Sequence, residues 1–463
     1  MEFVRDATPR DVNPVERRRR SDMAFIHEGS CECTKSELDL FSLPPTQTSI
    51  ESGLFVEYRP ISSLADGAPI EFEIVSSGDD YIDFANSYLH IKVKIQRADG
   101  TVLDAADTVG PVNNFLHSLF SQVDVSLNGT LITNSTNTYA YRAYLENLLT
   151  YGPAAKESQL TAALFYKDDA GKMDIDNPLA AAAADRNEGL TTRAIFTARS
   201  KELDLIGRIH SDIFFQQRYM LNEVNTKIKL TRSKDVFSLT ATGDQAFKVL
   251  ITSAAMHIRK VKVSPSVYLA HAKTLENGMA KYPVRRVICK TFTVPAGYLD
   301  ISQEKLFSGQ LPSRLVLGCV DNRAYNGSLE RNPFNFQNYS LREVSVYLDG
   351  QNHGIKPLSS NFTTGQYISS FMSLFSGTGK ENRDEGNGIS RTDFGNGYAL
   401  YAFDLSADLS ENESFNLARH GTVRIDMTFG AALPHTVTVV AYAEFENIIE
   451  IDRNRNVVFD FNN

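Results

Sequence analysis

The chain has 463 residues, 42 % of them hydrophobic, with 47 basic against 56 acidic side chains for a net charge of −9, and it has no tryptophan. That length is too great for one hydrophobic core and sufficient for two domains of roughly 200 residues each. The acidic balance, with a pI near 5.6, excludes a surface that grips nucleic acid all over, so any such contact must be local.

No run approaches the ~18 to 20 apolar residues of a membrane span, and the N-terminus lacks the apolar core of a signal peptide, so a soluble product that is not secreted is expected. Residues 1–45 read as a flexible arm, polar and interrupted by Pro9 and Pro14. Its one basic run is Arg17, Arg18, Arg19 and Arg20, diluted by Glu2, Asp6, Asp11 and Glu16. The run is the candidate contact for genome phosphates or neighbouring subunits, or a nuclear import signal; the plainer alternative is a solvated tail. Cys31-x-Cys33 is the one close pair among four cysteines and lacks the second Cys or His pair that a tetrahedral zinc needs. Cys289 and Cys319 stand apart, which points to a reducing compartment. Ser42-Leu43-Pro44-Pro45 marks the end of the arm.

Strand-like text follows at Leu54 to Tyr58, Ile70 to Val75 and Tyr88 to Ile95, where Leu89, Ile91, Val93 and Ile95 alternate with His90, Lys92 and Lys94. A polar hairpin is expected at Asp99-Gly100. Val123-Asp124-Val125-Ser126-Leu127-Asn128-Gly129 then alternates with period two and ends in the Asn-Gly pair of a tight hairpin turn. Thr136 is placed to cap a helix carrying Tyr141, Tyr144, Leu145 and Leu148, which Gly152-Pro153 would stop. From Gly152 to about Lys201 the polar text, with Asp168-Asp169 and Ala180 to Ala184, predicts an exposed excursion that contains a little helix. Strands return at Asn225 to Thr231 and Phe247 to Val263. Ser264-Pro265 opens a linker helix with Tyr268, Leu275 and Met279 on a patchy apolar face, ended by Pro283.

The second half repeats this plan about 220 residues later. Val344-Ser345-Val346-Tyr347-Leu348-Asp349-Gly350 matches the Val123 stretch, and Tyr367, Ile368, Phe371, Leu374 and Phe375 match the helix. Thr422 to Thr428 matches the Asn225 strand, and Val437 to Ile451 matches Phe247 to Val263. A collinear series of this kind signals internal duplication. Further strands are predicted at Arg286 to Val294, Arg314 to Val320, Tyr398 to Phe403 and Thr436 to Phe445. Gly377 to Gly397, with six glycines, is predicted to be a flexible surface loop.

Many short strands, few helices and long excursions describe an all-β chain of two tandem jelly-roll β-sandwiches with short helices in the inter-strand loops. The expected organisation is an arm at 1–45, a first jelly roll at 46–263, a helical linker at 264–283 and a second jelly roll at 284–463. Val56-Glu57-Tyr58-Arg59-Pro60-Ile61-Ser62-Ser63-Leu64, Pro69-Ile70-Glu71-Phe72, and Asp79-Asp80-Tyr81-Ile82-Asp83 leading into Asn86 to Ile91 carry a family resemblance. So does Asp212 to Asn222, with Phe214-Phe215-Gln216-Gln217-Arg218-Tyr219, before the strand Val224 to Leu230. Over about residues 50–450 the chain resembles major capsid proteins of the Polinton or Maverick (adintovirus) group, of the double jelly-roll lineage.

That resemblance implies a homotrimeric, pseudo-hexameric capsomer of an icosahedral double-stranded DNA virus or virus-like transposon. It implies neighbouring capsomers, penton and minor capsid proteins and local contact with packaged DNA as partners, and the virion shell as location, after synthesis in host cytoplasm. Neither a cofactor nor a metal is expected. Catalytic signatures are missing: there is no His-Glu-x-x-His and no Gly-x-Ser-x-Gly, and Gly377-Thr378-Gly379-Lys380 lacks the rest of a phosphate loop. The nine histidines are scattered, and Asp79-Asp80 and Asp168-Asp169 read as solvated acids. Asn134-Ser135-Thr136 and Asn361-Phe362-Thr363 are chance glycosylation triplets without a secretory signal. The alternative from another class is a carbohydrate-binding or adhesion β-sandwich, which the lack of tryptophan weakens. An intracellular scaffold reusing a capsid fold is a third reading.

Overall fold

Of twenty strands among the described residues, sixteen fall into two sets of eight, and adding eight to every number of the first set gives the second; the short strands Val109–Pro111, Leu239–Ala241, Leu358–Ser359 and Val457–Val458 stand outside the two sets and are left unnumbered. The computed structural model describes residues 36–41, 43–65, 67–76, 78–243, 245–352, 357–409 and 415–459. Residues up to Thr48 form a unit of their own, in which the described part holds one 3-10 turn, Ser36–Leu38. The rest is one compact unit.

The first set of eight is β1 (Ile50–Tyr58), β2 (Ile70–Ile74), β3 (Asp80–Arg97), β4 (Phe120–Leu127), β5 (Thr130–Leu131), β6 (Leu203–Gly207), β7 (Thr226–Arg232) and β8 (Phe247–Val263). They pair in two antiparallel sheets, β1-β8-β3-β6 and β2-β7-β4-β5. The second eight are β9 (Ala280–Val294), β10 (Asp300–Gln310), β11 (Arg314–Asp321), β12 (Leu341–Leu348), β13 (Gln351–Asn352), β14 (Leu400–Asp404), β15 (His420–Phe429) and β16 (Val437–Ile451). Their sheets run β9-β16-β11-β14 and β10-β15-β12-β13. The fold is a double jelly roll, as the duplicated text predicts.

The period-two pattern builds each core. In the first sandwich Ile70, Phe72, Val125, Leu127, Ile228 and Leu230 of one sheet face Leu89, Ile91, Val93, Ile95, Met256 and Ile258 of the other, all buried. Each such side chain contributes about 1.5–3 kcal/mol on leaving water. The two predicted hairpins form with both turn residues left-handed: Asn128 and Gly129 have φ of 45° and 83°, Asp349 and Gly350 of 50° and 81°. Those are the values that a type I′ turn requires.

Among nine α-helices in the described residues are α1 (Tyr139–Thr150), α2 (Glu188–Thr197), α3 (Pro265–Leu275), α4 (Ile368–Ser376) and α5 (Arg391–Gly395). α1 and α4 follow equivalent hairpins, as expected. The residue before α1 is Thr138, not Thr136, and its hydroxyl donates instead to the Cys289 carbonyl, 3.2 Å away. α3 opens at Ser264-Pro265 but stops at Leu275. Pro283 lies inside the edge strand β9, a position that tolerates a residue without an N–H. At Asp99-Gly100 the chain turns tightly, Arg97 N–H bonding Thr101 O at 3.1 Å, yet the next strand is the three-residue Val109–Pro111.

Two expectations are overturned more fully. The 152–201 excursion is no exposed loop: Leu164, Phe165, Met173 and Leu190 are core residues, and Asp168, Asn187 and Arg193 are each 1 % exposed. The glycine-rich 377–397 stretch also packs inward, burying Asn387, Ile389 and Phe394, and α5 within it carries a reciprocal Ser390–Asp393 cap. Composition misled in both cases because polar side chains here are satisfied by partners remote in sequence.

Candidate functional site: the joint between the sandwiches

The two sandwiches are interlocked. α1 belongs to the first half in sequence, but Ala140, Tyr141, Tyr144, Leu145 and Leu148 pack into the second core. Tyr144 stacks on Phe334 with ring centroids 4.1 Å apart, nearly parallel, and Tyr141 meets Phe334 edge-on at 5.7 Å. In exchange, Tyr282, Val284, Ile449 and Ile451 of the second half enter the first core.

Side chains of the first half also cap backbone groups of β9. Val287 N–H donates to the Asp212 carboxylate at 3.3 Å, the Cys289 carbonyl accepts from Thr138, and the Lys281 carbonyl accepts from Arg218 at 2.5 Å. An open strand edge is thereby closed without a further strand.

Behind that edge lies a buried polar cluster. Arg142 of α1 donates to Glu146 at 2.8 Å and to Asp212 at 2.6 Å. Glu146 also bonds His210 Nδ1 at 2.5 Å, and the His210 ring stands edge-on to His117, centroids 4.5 Å apart. Tyr139 OH accepts from His210 N–H at 3.3 Å and lies 3.0 Å from His117 Nδ1. Its own proton is then free for His117, which fits a neutral imidazole. Burial, then His210, pushes the His117 pKa well below 6.5. Burial would lift the Glu146 carboxyl, but Arg142 and His210 outweigh it and hold it below its ordinary range. At Asp212 burial outweighs the Arg142 bond and raises the carboxyl.

A second network ties the excursions together. Arg193 pairs with Asp168 at 2.7 Å, and Asn187 and Asn332 donate to the same carboxylate at 2.9 and 3.0 Å. Lys167 reaches across to Gly388 O and Asp393, both at 2.6 Å, and Lys156 donates to Leu148 O at 2.6 Å and to Asn387 O. Burial, then Lys167 and Lys380, lowers the Lys156 pKa to about 7. Chemically these groups are spent on one another: every carboxylate in the joint has a cationic or amide partner, which suits rigidity.

Arg17, Arg18, Arg19 and Arg20, the sites picked from sequence, and Cys31 and Cys33 lie outside the described residues. Cys289 and Cys319 are buried free thiols, pushed up to about 12 by burial, so they are poor nucleophiles. Among the described residues no group of three or more His, Cys, Asp or Glu is placed to hold a metal, and no helix is long and apolar enough to cross a membrane. The sequence reading missed the joint altogether. Its one legible trace was Arg142 and Glu146, an i,i+4 pair on a helix otherwise read for its apolar face.

No family model matches the chain. An uncharacterized protein of Caenorhabditis elegans is 27 % identical over 431 residues, spanning 90 % of this chain and 99 % of its own. Among solved structures, a chain of the Sputnik virophage superposes with a TM-score of 0.64 at 11 % identity, covering 94 % of each chain. The Faustovirus major capsid protein gives 0.55 at 10 % identity, over 88 % of this chain and 92 % of its own. The mavirus major capsid protein gives 0.52 at 10 % identity, over 95 % and 97 %. The chain thus has the double jelly-roll fold of these viral major capsid proteins.

Proposed function

We propose that this protein is a structural major capsid protein, the trimeric, pseudo-hexameric capsomer of an icosahedral shell, belonging to a double-stranded DNA virus or virus-like transposon of the Polinton or Maverick (adintovirus) group. The observation that carries this reading is the eight-strand shift: two sandwiches with one strand order in one rigid chain. Three such chains supply six similar units, which is what a nearly sixfold block with threefold chemistry needs. Residues 46–263 and 284–463 serve as the two units and 264–283 as their tether.

The interlocked joint supports the role, since a shell subunit must hold its two units at a fixed angle. The full-length relative in a nematode supports an element carried in an animal genome. In this reading the partners are neighbouring capsomers, penton and minor capsid proteins, and the Arg17 to Arg20 run touches packaged DNA or adjacent capsomers. The location is the virion shell and the role is structural rather than catalytic. Light scattering of the purified protein tests it: the expected mass is near three times 51.5 kDa, with hexagonal particles or lattices by negative-stain microscopy. A stable monomer at micromolar concentration would defeat the reading.

A further inference from the structure

The linker helix α3 buries only Leu275 of its 11 residues, whereas α1 buries nine of 12. Yet Val267, His271, Thr274 and Leu275 stand at i, i+4, i+7 and i+8, on one face of the helix. That face lines a cleft of about 500 Å³ instead of resting on a core. The cleft is walled by both sandwiches: Ile50 of β1, Val263 of β8, Leu221 of the β6–β7 connection and Tyr282 of β9. Leu221, Val263 and Tyr282 are buried, so these walls are fixed before anything enters. The Tyr282 hydroxyl accepts from Leu221 N–H at 3.1 Å and donates to Tyr219 O at 3.2 Å, which spends it within the protein.

The charged groups in the cleft are few and of one sign. In a chain of net charge −9, none of the described lining residues is Asp or Glu, but Arg218, Lys281 and His271 are among them. Lys281 is held by Glu450 at 3.5 Å, and His271 Nδ1 meets Tyr81 OH at 3.0 Å. Arg218 donates Nη1 to the Lys281 carbonyl and has no carboxylate partner among the described residues.

We propose that this cleft binds a long-chain fatty acid, with the hydrocarbon tail between α3 and the strand ends and the carboxylate on Arg218. Mainly apolar walls with a few convergent polar groups are the make-up of a small-molecule site, for which about 300–1,000 Å³ is usual. The tail suits the walls because each methylene that leaves water adds to affinity. The carboxylate suits the guanidinium, whose remaining N–H groups take it in a fork. The bound acyl chain touches both sandwiches and their tether, and so stabilises the joint by linkage. Nothing in this chemistry depends on the shell-forming role proposed above.

The test is a titration of the full-length protein with cis-parinaric acid, whose fluorescence rises on leaving water, followed by displacement with oleate or oleyl alcohol. Binding should saturate at one site per chain, with oleate about tenfold tighter than oleyl alcohol, which keeps the tail and lacks the charge. Arg218→Gln should remove most of that preference and leave oleyl alcohol unchanged. At Gly278, which lines the cleft, an added Cβ meets nothing nearer than 3.6 Å. Gly278→Trp therefore fills the cleft and should abolish binding, while Leu269→Trp, on an exposed part of α3 outside the cleft, should not alter it. Circular dichroism melts check that each variant folds, and oleate should raise Tm in the unaltered and Leu269→Trp proteins but not in Gly278→Trp. Absence of saturable binding, equal affinity for oleate and oleyl alcohol, or binding untouched by Arg218→Gln or by a folded Gly278→Trp would each overturn the proposal. Flotation with oleate-containing phosphatidylcholine vesicles without uptake of free parinarate would also overturn it, by giving the surface to a membrane.

Discussion

Replacing Arg193 by methionine tests how the 152–201 excursion is held. The Arg193–Asp168 pair has side-chain exposures of 1 % and 0 %. Arg193 donates Nε to Pro111 O at 2.9 Å, Nη1 to Tyr166 O at 2.7 Å and Nη2 to Asp168 at 2.7 Å. Methionine fills much of that volume and donates nothing, which strands the Asp168 charge with only the amides of Asn187 and Asn332. Breaking a buried pair from one side costs about 3–5 kcal/mol, since the remaining charge is uncompensated. With an unfolding entropy of ~2 cal/mol/K per residue over roughly 400 residues, that lowers Tm by ~3–6 °C. Adding Asp168→Asn removes the stranded charge and should return about half of the loss. Calorimetry at one fixed protein concentration reads both values. An Arg193→Met protein within about 1 °C of the original, or a double variant no better than the single, would refute the reasoning.

The same joint carries a pH dependence through His117. The unfolded chain takes up this proton as pH falls through about 6.5 while the buried ring does not, so stability drops with pH below that point by up to about 1.4 kcal/mol per unit. Urea melts between about pH 7.5 and 5.5 should lose that share of the slope in His117→Phe, and an unchanged slope would place the titration elsewhere. A Cβ on Gly377 would sit 2.6 Å from the Ala402 carbonyl carbon. Gly377→Ala should therefore push α4 off β14 and cost on the order of 1–3 kcal/mol by denaturant titration. Deleting residues 1–45 should leave the melting temperature and trimer mass nearly intact while lowering particle yield, more so at low salt than at high salt if Arg17 to Arg20 bridge phosphates, since salt screens those contacts in the intact protein. An equal yield would make the arm a passive tail.

Legibility followed the range of the interactions. Strands whose signal is local were read almost to the residue: β8 and β16 match the apolar runs at Phe247 to Val263 and Val437 to Ile451. Both hairpins were announced by Asn-Gly and Asp-Gly. β10 escaped because only Leu306 and Phe307 of its 11 residues are buried, so its text shows no alternation. β6, Leu203–Gly207, escaped too: it lies just beyond the segment judged too polar to pack, and only Leu203 and Leu205 of its five residues are buried. What failed depended on partners far away in the chain: Asp168 reads as a solvated acid until Arg193, Asn187 and Asn332 are folded around it. The joint was invisible for the same reason, since Arg142 and Asp212 lie 70 residues apart and His117 and His210 further still.

The exchange of α1 for the far ends of β9 and β16 has a consequence for synthesis. α1 leaves the ribosome before any strand of the core it completes has been made, and Tyr144 must wait for Phe334. The first half thus emerges with an apolar helix it cannot bury and with a core still lacking Tyr282, Ile449 and Ile451. Closing contacts across so long a stretch costs little extra in equilibrium terms but delays completion until the last residues arrive. A ribosome that stops after Val263 releases a client for chaperones, and one that reaches Ile451 releases a subunit.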